Sequence, residues 1–115
     1  LEHFKIVDKI IKPIHLSEIP DIINDVDIIV NTTSIGLNDE DFPLFDYNFI
    51  NPKHTVVDII YKETKLLKVA KEKGCKYQNG YPMLIYQGAK SFEIWTNQKA
   101  PIEIMKKSIG LHFQK

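Results

Sequence analysis

The first thirty residues contain apolar positions in two patterns, one spaced along a helix and one contiguous. The spaced set recurs every three or four residues and predicts an amphipathic helix; its members are Phe4, Val7, Ile10, Ile11 and Ile14. Pro13 is expected to end that helix, and Ser17 to cap a short second helix with Pro20 in its first turn. The run DIIVN at residues 27–31 is β-branched and too short for a buried helix, so it predicts a strand buried on both faces.

The middle of the chain repeats the strand pattern after a long polar stretch. Residues 32–43 contain glycine, proline and acidic residues, which predicts a loop, and Asp46 is expected to start one helical turn. The run TVVDII at residues 55–60 predicts a second strand. A helix follows, capped by Thr64 and ended by Gly74, with a buried stripe at Leu66, Leu67 and Ala70.

The last third predicts one more strand and two helices. Residues 75–78 suit a strand, and Asn79-Gly80 then turns the chain into a helix over residues 82–96. The apolar face of that helix is predicted to contain Met83, Leu84, Ile85, Ala89, Phe92 and Trp95, with Trp95 in the core. Pro101 suits the first position of a final helix, whose apolar face is formed by Ile102, Ile104, Met105 and Ile109.

This alternation of strands and helices predicts an α/β fold with a parallel sheet. Residues 1–115 then form one domain, and three strands are half of a doubly wound, three-layer fold, which leaves an exposed edge strand. The chain begins at Leu1, inside an amphipathic pattern rather than before one. We therefore expect it to be part of a longer polypeptide.

Composition narrows the class of partner. The 15 basic and 15 acidic side chains cancel, and no basic stripe favours nucleic acid or an anionic membrane. No apolar run approaches the ~20 residues that span a bilayer. The single Cys75 suits a reducing compartment and a small buried residue, so we expect a cytoplasmic protein with small-molecule partners. The oligomeric state is left open, a homodimer included.

Polar or glycine-bearing segments follow all three predicted strands. They are NTTSIG at 31–36, DIIY at 58–61 and NGYPM at 79–83. Ligands of open parallel sheets bind beyond the carboxyl ends of the strands, where hydroxyl and backbone N–H groups hold phosphate or ribose. Their joint occurrence predicts a nucleotide site at this edge.

Three runs resemble a known family. DIIVNTTSIGL, VVDIIY and NGYPMLIYQGAKSFEIW followed by Ala-Pro are similar to the carboxy-terminal domain of shikimate dehydrogenases, over about residues 27–109. The resemblance implies a partial Rossmann-like domain that binds NADP (NADPH). It also implies that the full-length parent reduces 3-dehydroshikimate to shikimate, a step towards chorismate and the aromatic amino acids.

The resemblance also assigns site residues. It places Thr33 and Ser34 beside the cofactor, with the backbone of Ile59 and Gly80 and the side chain of Met83 at the nicotinamide end. Two further positions match those that reach the hydroxy acid through a phenol and an amide, namely Tyr61 and Gln87.

Each assignment has a purely structural alternative. Thr33 and Ser34 suit a capped turn, and Tyr61 suits a half-buried aromatic at a strand end. Gln87 lies on an apolar helix face, where an unpartnered amide would cost about 1–3 kcal/mol, so a ligand or a network partner is expected there.

Other polar residues are given structural roles. Asp58 is expected to be a structural carboxylate satisfied by backbone N–H groups. No metal site is predicted, and the four histidines are expected at the surface: His3, His15, His54 and His112. The lysines are expected to be solvated, both at the start of the Thr64 helix and near its end: Lys62, Lys65, Lys71, Lys73 and Lys76.

Two parts of the implied enzyme are missing from the sequence. The G-x-G-x-x-G fingerprint occurs nowhere, and the family's catalytic lysine and aspartate belong to an amino-terminal domain. No catalytic residue is therefore assigned here, and the 115 residues alone are expected to be inactive. Two alternatives stay open, namely a quinate/shikimate dehydrogenase that uses NAD or NADP, and a non-catalytic Rossmann-like module that binds a nucleotide or a protein.

Overall fold

The computed structural model describes residues 11–113, with side chains described for residues 11–110. Along these residues the helices and strands follow in the order α1 (Ile19–Ile22), β1 (Ile28–Asn31), β2 (Thr55–Asp58), α2 (Lys65–Glu72), β3 (Lys76–Gln78), α3 (Tyr81–Thr96) and α4 (Ile102–Phe113). Short 3₁₀ turns occur at Leu16–Glu18, Ile23–Asp25 and Tyr47–Phe49. The predicted first helix falls largely on residues 1–10, outside the described residues, and residues 11–15 form no regular element.

The three strands form a parallel sheet in the order β1-β2-β3, as predicted. Ile29 pairs with Val56 and Asn31 pairs with Asp58 across β1 and β2. Because the strands are parallel, their carboxyl ends lie at one edge of the sheet. The loops that follow them are thereby brought together.

Helix α2 covers one face of this sheet. Thr64 caps it by accepting a hydrogen bond from the Leu67 N–H, and Gly74 follows its end with a left-handed φ of 77°. Its predicted stripe is buried and joins the core cluster, which consists of Ile23, Tyr47, Ile50, Val56, Leu66, Leu67, Ala70 and Cys75. Asp46 starts the Tyr47–Phe49 turn as predicted, because its carboxylate accepts the Asn48 N–H.

Helices α3 and α4 pack mainly on each other. Helix α3 ends at Asn97, whose φ of 52° is left-handed and whose N–H bonds to the Glu93 carbonyl. Ile85 and Ala89 of α3 are buried, as is Ala100 in the connection to α4. Within the described part of the chain, no helix has both the length and the apolar composition that a membrane span requires.

Several sequence predictions about packing and capping are wrong. Strand β1 is not buried on both faces, since Ile28 is 62% and Val30 51% exposed. Trp95 is 82% exposed rather than in the core. His15, not Ser17, precedes the first turn, and its N–H bonds to Glu18 Oε2 at 2.7 Å.

The prediction for His54 is wrong as well, since its side chain is 1% exposed rather than at the surface. Its Nδ1 accepts the Asn51 N–H at 3.0 Å, and its Nε2 lies 2.8 Å from the Ile23 carbonyl. The imidazole therefore joins the loop before β2 to the turn before β1, which is a contact between segments distant in sequence.

Candidate functional site

Three loop segments meet at the edge where the parallel strands end. The Ile59 N–H donates to the Asn31 carbonyl at 3.2 Å, and the Gly80 N–H donates to the Ile60 carbonyl at 3.0 Å. These bonds join the ends of β1, β2 and β3 in one layer. The structure thus brings Ile59 and Gly80 together, while their roles towards a ligand stay predictions.

Gly80 allows helix α3 to start directly against the end of β2. A Cβ atom at this position would lie 1.9 Å from the Ile59 carbonyl oxygen and 2.8 Å from Tyr61 Cδ1. Its φ of −78° is ordinary, so the requirement for glycine comes from this close approach and not from backbone strain. Replacement by any larger residue would force the two segments apart.

Tyr61 forms an aromatic pair that sequence reasoning missed. Its ring stacks on the Tyr81 ring with centroids 6.0 Å apart and an interplanar angle of 25°. Tyr61 is 40% exposed at the end of the β2 segment, and Tyr81 begins α3. The pair holds the phenol ring of Tyr61 beside the first turn of α3. Two tyrosines that each follow a strand end were the only signal available in the sequence.

Asp58 is the centre of a buried polar network. It is 0% exposed, and its carboxylate accepts the Ile60 N–H at 3.1 Å and the Thr64 hydroxyl at 2.8 Å. Asn31 Nδ2 lies 3.2 Å from each of its two oxygens. The expectation that Asp58 is a structural carboxylate is confirmed, although two of its three partners are side chains rather than backbone groups.

Asn31 extends this network into the loop after β1. Its Oδ1 accepts the Thr33 N–H at 3.0 Å and the Thr33 hydroxyl at 2.7 Å. Its Nδ2 also donates to the Ile35 carbonyl at 3.0 Å, and the Ile35 N–H donates to Thr33 Oγ1 at 3.1 Å. Thr33 therefore forms the turn that was its structural alternative. Ser34 is exposed in the same turn.

The rest of this loop is held by Lys62, which precedes α2, and by the carboxylate of Asp41. Lys62 Nζ donates to the Leu37 carbonyl at 2.7 Å and to Asp39 Oδ1 at 3.0 Å, and this hydrogen bond lowers the pKa of Asp39. The Gly36 and Asn38 N–H groups donate to Asp41 Oδ2 and lower the pKa of that carboxyl. The Lys62 ammonium group thus stabilises the loop through these two hydrogen bonds and is not a free cation.

Met83 and Gln87 lie four residues apart, on one side of α3. Met83 is 49% exposed. Gln87 is exposed as well, and its Nε2 donates to the Leu84 carbonyl at 3.0 Å. The desolvation cost that the sequence argument assigned to an unpartnered Gln87 amide therefore does not arise, and the side chain lies along a groove that α3 forms with α4. An exposed amide remains accessible to a ligand.

The remaining reactive groups have structural surroundings. Burial raises the pKa of the Cys75 thiol, whose Sγ lies 3.2 Å from the Asn51 carbonyl, so the sulfur is a protonated core atom. Among the residues that the structure describes, no group of three or more His, Cys, Asp or Glu side chains is placed to hold a metal ion. Neutral polar groups of several segments converge at the strand-end edge.

Comparison with known proteins identifies relatives of this arrangement. Residues 80–109 match the family described as Shikimate 5'-dehydrogenase C-terminal domain. The chain is 52% identical over 89 residues to the shikimate dehydrogenase (NADP(+)) of Aquifex aeolicus, covering 77% of this chain and 33% of the relative. It is 55% identical over 87 residues to that of Methanococcus aeolicus, covering 72% of this chain and 31% of the relative.

Solved structures agree with these sequence relatives. The crystal structure of the Aquifex aeolicus enzyme superposes with a TM-score of 0.77 over 79% of this chain and 34% of that chain. Quinate dehydrogenase from Corynebacterium glutamicum in complex with NAD superposes with a TM-score of 0.77 at 30% identity, over 85% of this chain and 35% of that chain. The chain spans about a third of the length of the relatives that it matches.

Proposed function

We propose that this chain, which carries the carboxy-terminal domain of the shikimate dehydrogenase family, supplies the cofactor contacts and part of the substrate site of an NADP-dependent shikimate dehydrogenase. The parent enzyme interconverts 3-dehydroshikimate and shikimate. The observation that carries the proposal is the junction of Tyr61, Gly80 and Tyr81 at the strand-end edge, inside or beside the matched residues 80–109. Residues 1–115 are then part of the cofactor-binding domain.

The strand-end edge fits part of a dinucleotide. Its loop segments, 32–36, 59–61 and 79–83, contain no charged residue, so they neither repel the cofactor phosphates nor neutralise them. Asp58, the carboxylate that ends β2, is fully buried among its own partners, and the Asp41 carboxylate is bonded to the Gly36 N–H. Thr33 and Ser34 offer hydroxyl groups, and Met83 offers an exposed apolar side chain for the nicotinamide end. The pyrophosphate fingerprint is not among the 115 residues.

In this proposal the chain's own residues bind and orient the cofactor and the hydroxy acid. NADPH, when bound, would supply the hydride. Tyr61 and Gln87 donate or accept hydrogen bonds at the oxygens of the hydroxy acid, and Tyr81 keeps the Tyr61 ring in place. The alcohol oxygen also requires a proton. Lys62 does not provide it, because its ammonium group is engaged by Leu37 and Asp39.

A chimera tests the proposal without any assumption about flanking sequence. This chain would replace the segment that it matches in the Aquifex aeolicus shikimate dehydrogenase, and shikimate-dependent reduction of NADP⁺ would be followed. We expect Tyr61→Phe and Gln87→Ala each to raise the KM for shikimate about tenfold, because each removes one hydrogen bond to the substrate. The KM for NADP⁺ is expected to stay within about twofold.

Matched controls remove the same groups elsewhere. Tyr86→Phe removes a phenol from an exposed position of α3, and Gln98→Ala removes an exposed amide after that helix; both are expected to leave shikimate kinetics unchanged. Unchanged kinetics in Tyr61→Phe and Gln87→Ala would remove both residues from the site. A folded but inactive chimera would favour the non-catalytic module, and the 115 residues alone are expected to give no turnover.

The quinate dehydrogenase neighbour defines the second candidate. Its fold match is as good as that of the Aquifex aeolicus enzyme, at 30% rather than 52% sequence identity. The same chimera, assayed with quinate and NAD⁺, separates the two. A higher kcat/KM for quinate with NAD⁺ than for shikimate with NADP⁺ would support the quinate assignment. The cytoplasmic location and a homodimeric parent remain part of the proposal.

A further inference from the structure

The Asn31 amide has only one orientation that its surroundings accept. Three acceptors surround Nδ2, namely the Ile35 carbonyl and both oxygens of Asp58. Rotating the amide by a half-turn would place Oδ1 against these three oxygens with no donor between them. At 4% exposure, Asn31 cannot turn to water to relieve such a contact. The Asp58 carboxylate, together with the Ile35 carbonyl and the Thr33 N–H, therefore determines that Oδ1 faces Thr33.

This orientation commits the hydroxyl hydrogen of Thr33. Oδ1 is an acceptor, so the 2.7 Å contact requires Thr33 Oγ1 to be the donor. One oxygen lone pair of the same hydroxyl accepts the Ile35 N–H at 3.1 Å. A hydroxyl has one hydrogen and two lone pairs, so a single lone pair remains. Thr33 is exposed, and this lone pair is what its side chain offers to a ligand.

We propose that Asn31 and Asp58 are positioning residues that make the Thr33 hydroxyl an acceptor, and that its partner is an uncharged N–H or O–H donor of the cofactor. A carboxamide N–H and a ribose hydroxyl both have this chemistry. A phosphate oxygen does not, because it too is an acceptor at neutral pH. The inference rests on the proposed function, and it deepens that function by assigning the kind of cofactor atom that Thr33 binds.

Direct titration of the chimera with dinucleotides tests the polarity of Thr33. Thr33→Val keeps the shape and removes the hydroxyl, and we expect it to raise the Kd for NADP⁺ about fivefold to tenfold. Two NADP⁺ analogues each lack one candidate donor: one has acetyl in place of the carboxamide, and the other has a deoxyribose next to nicotinamide. For the analogue that lacks the true partner of Thr33, we expect Thr33→Val and the wild type to have the same Kd. That analogue therefore identifies which cofactor group donates to Thr33. A Thr33→Val effect that persists with every such analogue would overturn the proposal.

Exchanging the two network residues tests the positioning role. Asp58→Asn places an amide against Asn31 Nδ2 and weakens the preference for the native Asn31 orientation, which the Ile35 carbonyl and the Thr33 N–H still support, so we expect its Kd for NADP⁺ to rise by up to about tenfold. In the double variant Asn31→Asp/Asp58→Asn, the carboxylate at position 31 accepts from the Thr33 hydroxyl, and the amide at position 58 donates to that carboxylate. Its Kd is expected to return to within about threefold of the wild type, although the Ile35 carbonyl loses its donor.

The control is Asn51→Asp, which replaces an amide by a carboxylate, as Asn31→Asp does, in the Asn51–Asn24 side-chain pair away from the strand-end edge. It is expected to leave the Kd unchanged. If the two network substitutions lower thermal stability but leave the Kd of the folded chimera unchanged, Asn31 and Asp58 are only structural. An inactive chimera that still binds NADP⁺ contradicts the enzyme proposal alone, whereas a chimera that does not bind NADP⁺ overturns both.

Discussion

Gly80 shows how one missing side chain arranges the strand-end edge. The sequence marked it as a turn residue before a helix, which is a local property. In the structure its backbone lies against the Ile59 carbonyl, so the glycine determines how closely α3 approaches β2. A Cβ atom at Gly88, in the same helix, would meet no other segment of the protein within 4 Å. Substitution by alanine is therefore expected to change the stability in opposite directions at Gly80 and Gly88.

We expect Gly80→Ala to destabilise the protein by about 2 kcal/mol or more, because a backbone oxygen cannot move aside as a flexible side chain does. Gly88→Ala should instead stabilise it by about 0.5–1 kcal/mol through helix propensity. Urea unfolding followed by far-ultraviolet circular dichroism measures both. Equal effects of the two substitutions would contradict the close approach at Gly80.

At the scale of elements, helix α2 is stabilised at its two ends by the caps that the sequence predicted and by a lysine contact that it did not predict. Thr64 and Gly74 form the predicted caps. Lys73, expected to be solvated, instead donates to the Asn48 carbonyl at 2.5 Å and to the Ile50 carbonyl at 2.8 Å. This ammonium joins the end of the helix to the Tyr47–Phe49 turn. Lys71 keeps its predicted solvated position, 4.0 Å from Glu63 and 61% exposed.

Lys73→Ala is expected to lower the free energy of unfolding by about 1–2 kcal/mol, because two carbonyl groups lose a charged donor. Lys71→Ala removes the same charge from a pair in water and should change the stability by less than about 0.5 kcal/mol. Thermal unfolding of the two variants at one pH and salt concentration gives the comparison. A similar loss in both would mean that Lys73 is as solvated as the sequence suggested.

The whole molecule is more extended than a compact domain of this length. Its Cα radius of gyration is 17.2 Å, against roughly 13 Å for a compact chain of about a hundred residues. Large apolar side chains are exposed on β1 and on helices α3 and α4, including Ile28, Val30, Ile94, Trp95 and Ile104. Surfaces of this kind are usually covered by another part of a protein.

Trp95, the single tryptophan, reports on this surface. We expect its fluorescence in the isolated chain to be quenched by acrylamide nearly as strongly as in the urea-unfolded chain, because its side chain is 82% exposed. The quenching constants of the folded and unfolded chain provide the measurement. Strong protection of the folded chain would place Trp95 in a core and restore the sequence-based prediction.

The sequence by itself determined the features that depend on neighbours along the chain. The strand segments, the caps of α2, the start of α3 and the parallel α/β class follow from β-branched runs, Thr64, Gly74 and Pro82, whose preferences are local. The family resemblance likewise came from contiguous runs. These features were predicted because a few adjacent residues suffice to produce them.

Only the tertiary structure decided which groups meet and which are covered. The burial of His54 and the stacking of Tyr61 on Tyr81 depend on residues tens of positions apart. The direction of the Thr33 hydroxyl is the clearest case. It depends on Asp58, which is distant in the sequence and adjacent only because β1 and β2 pair in register.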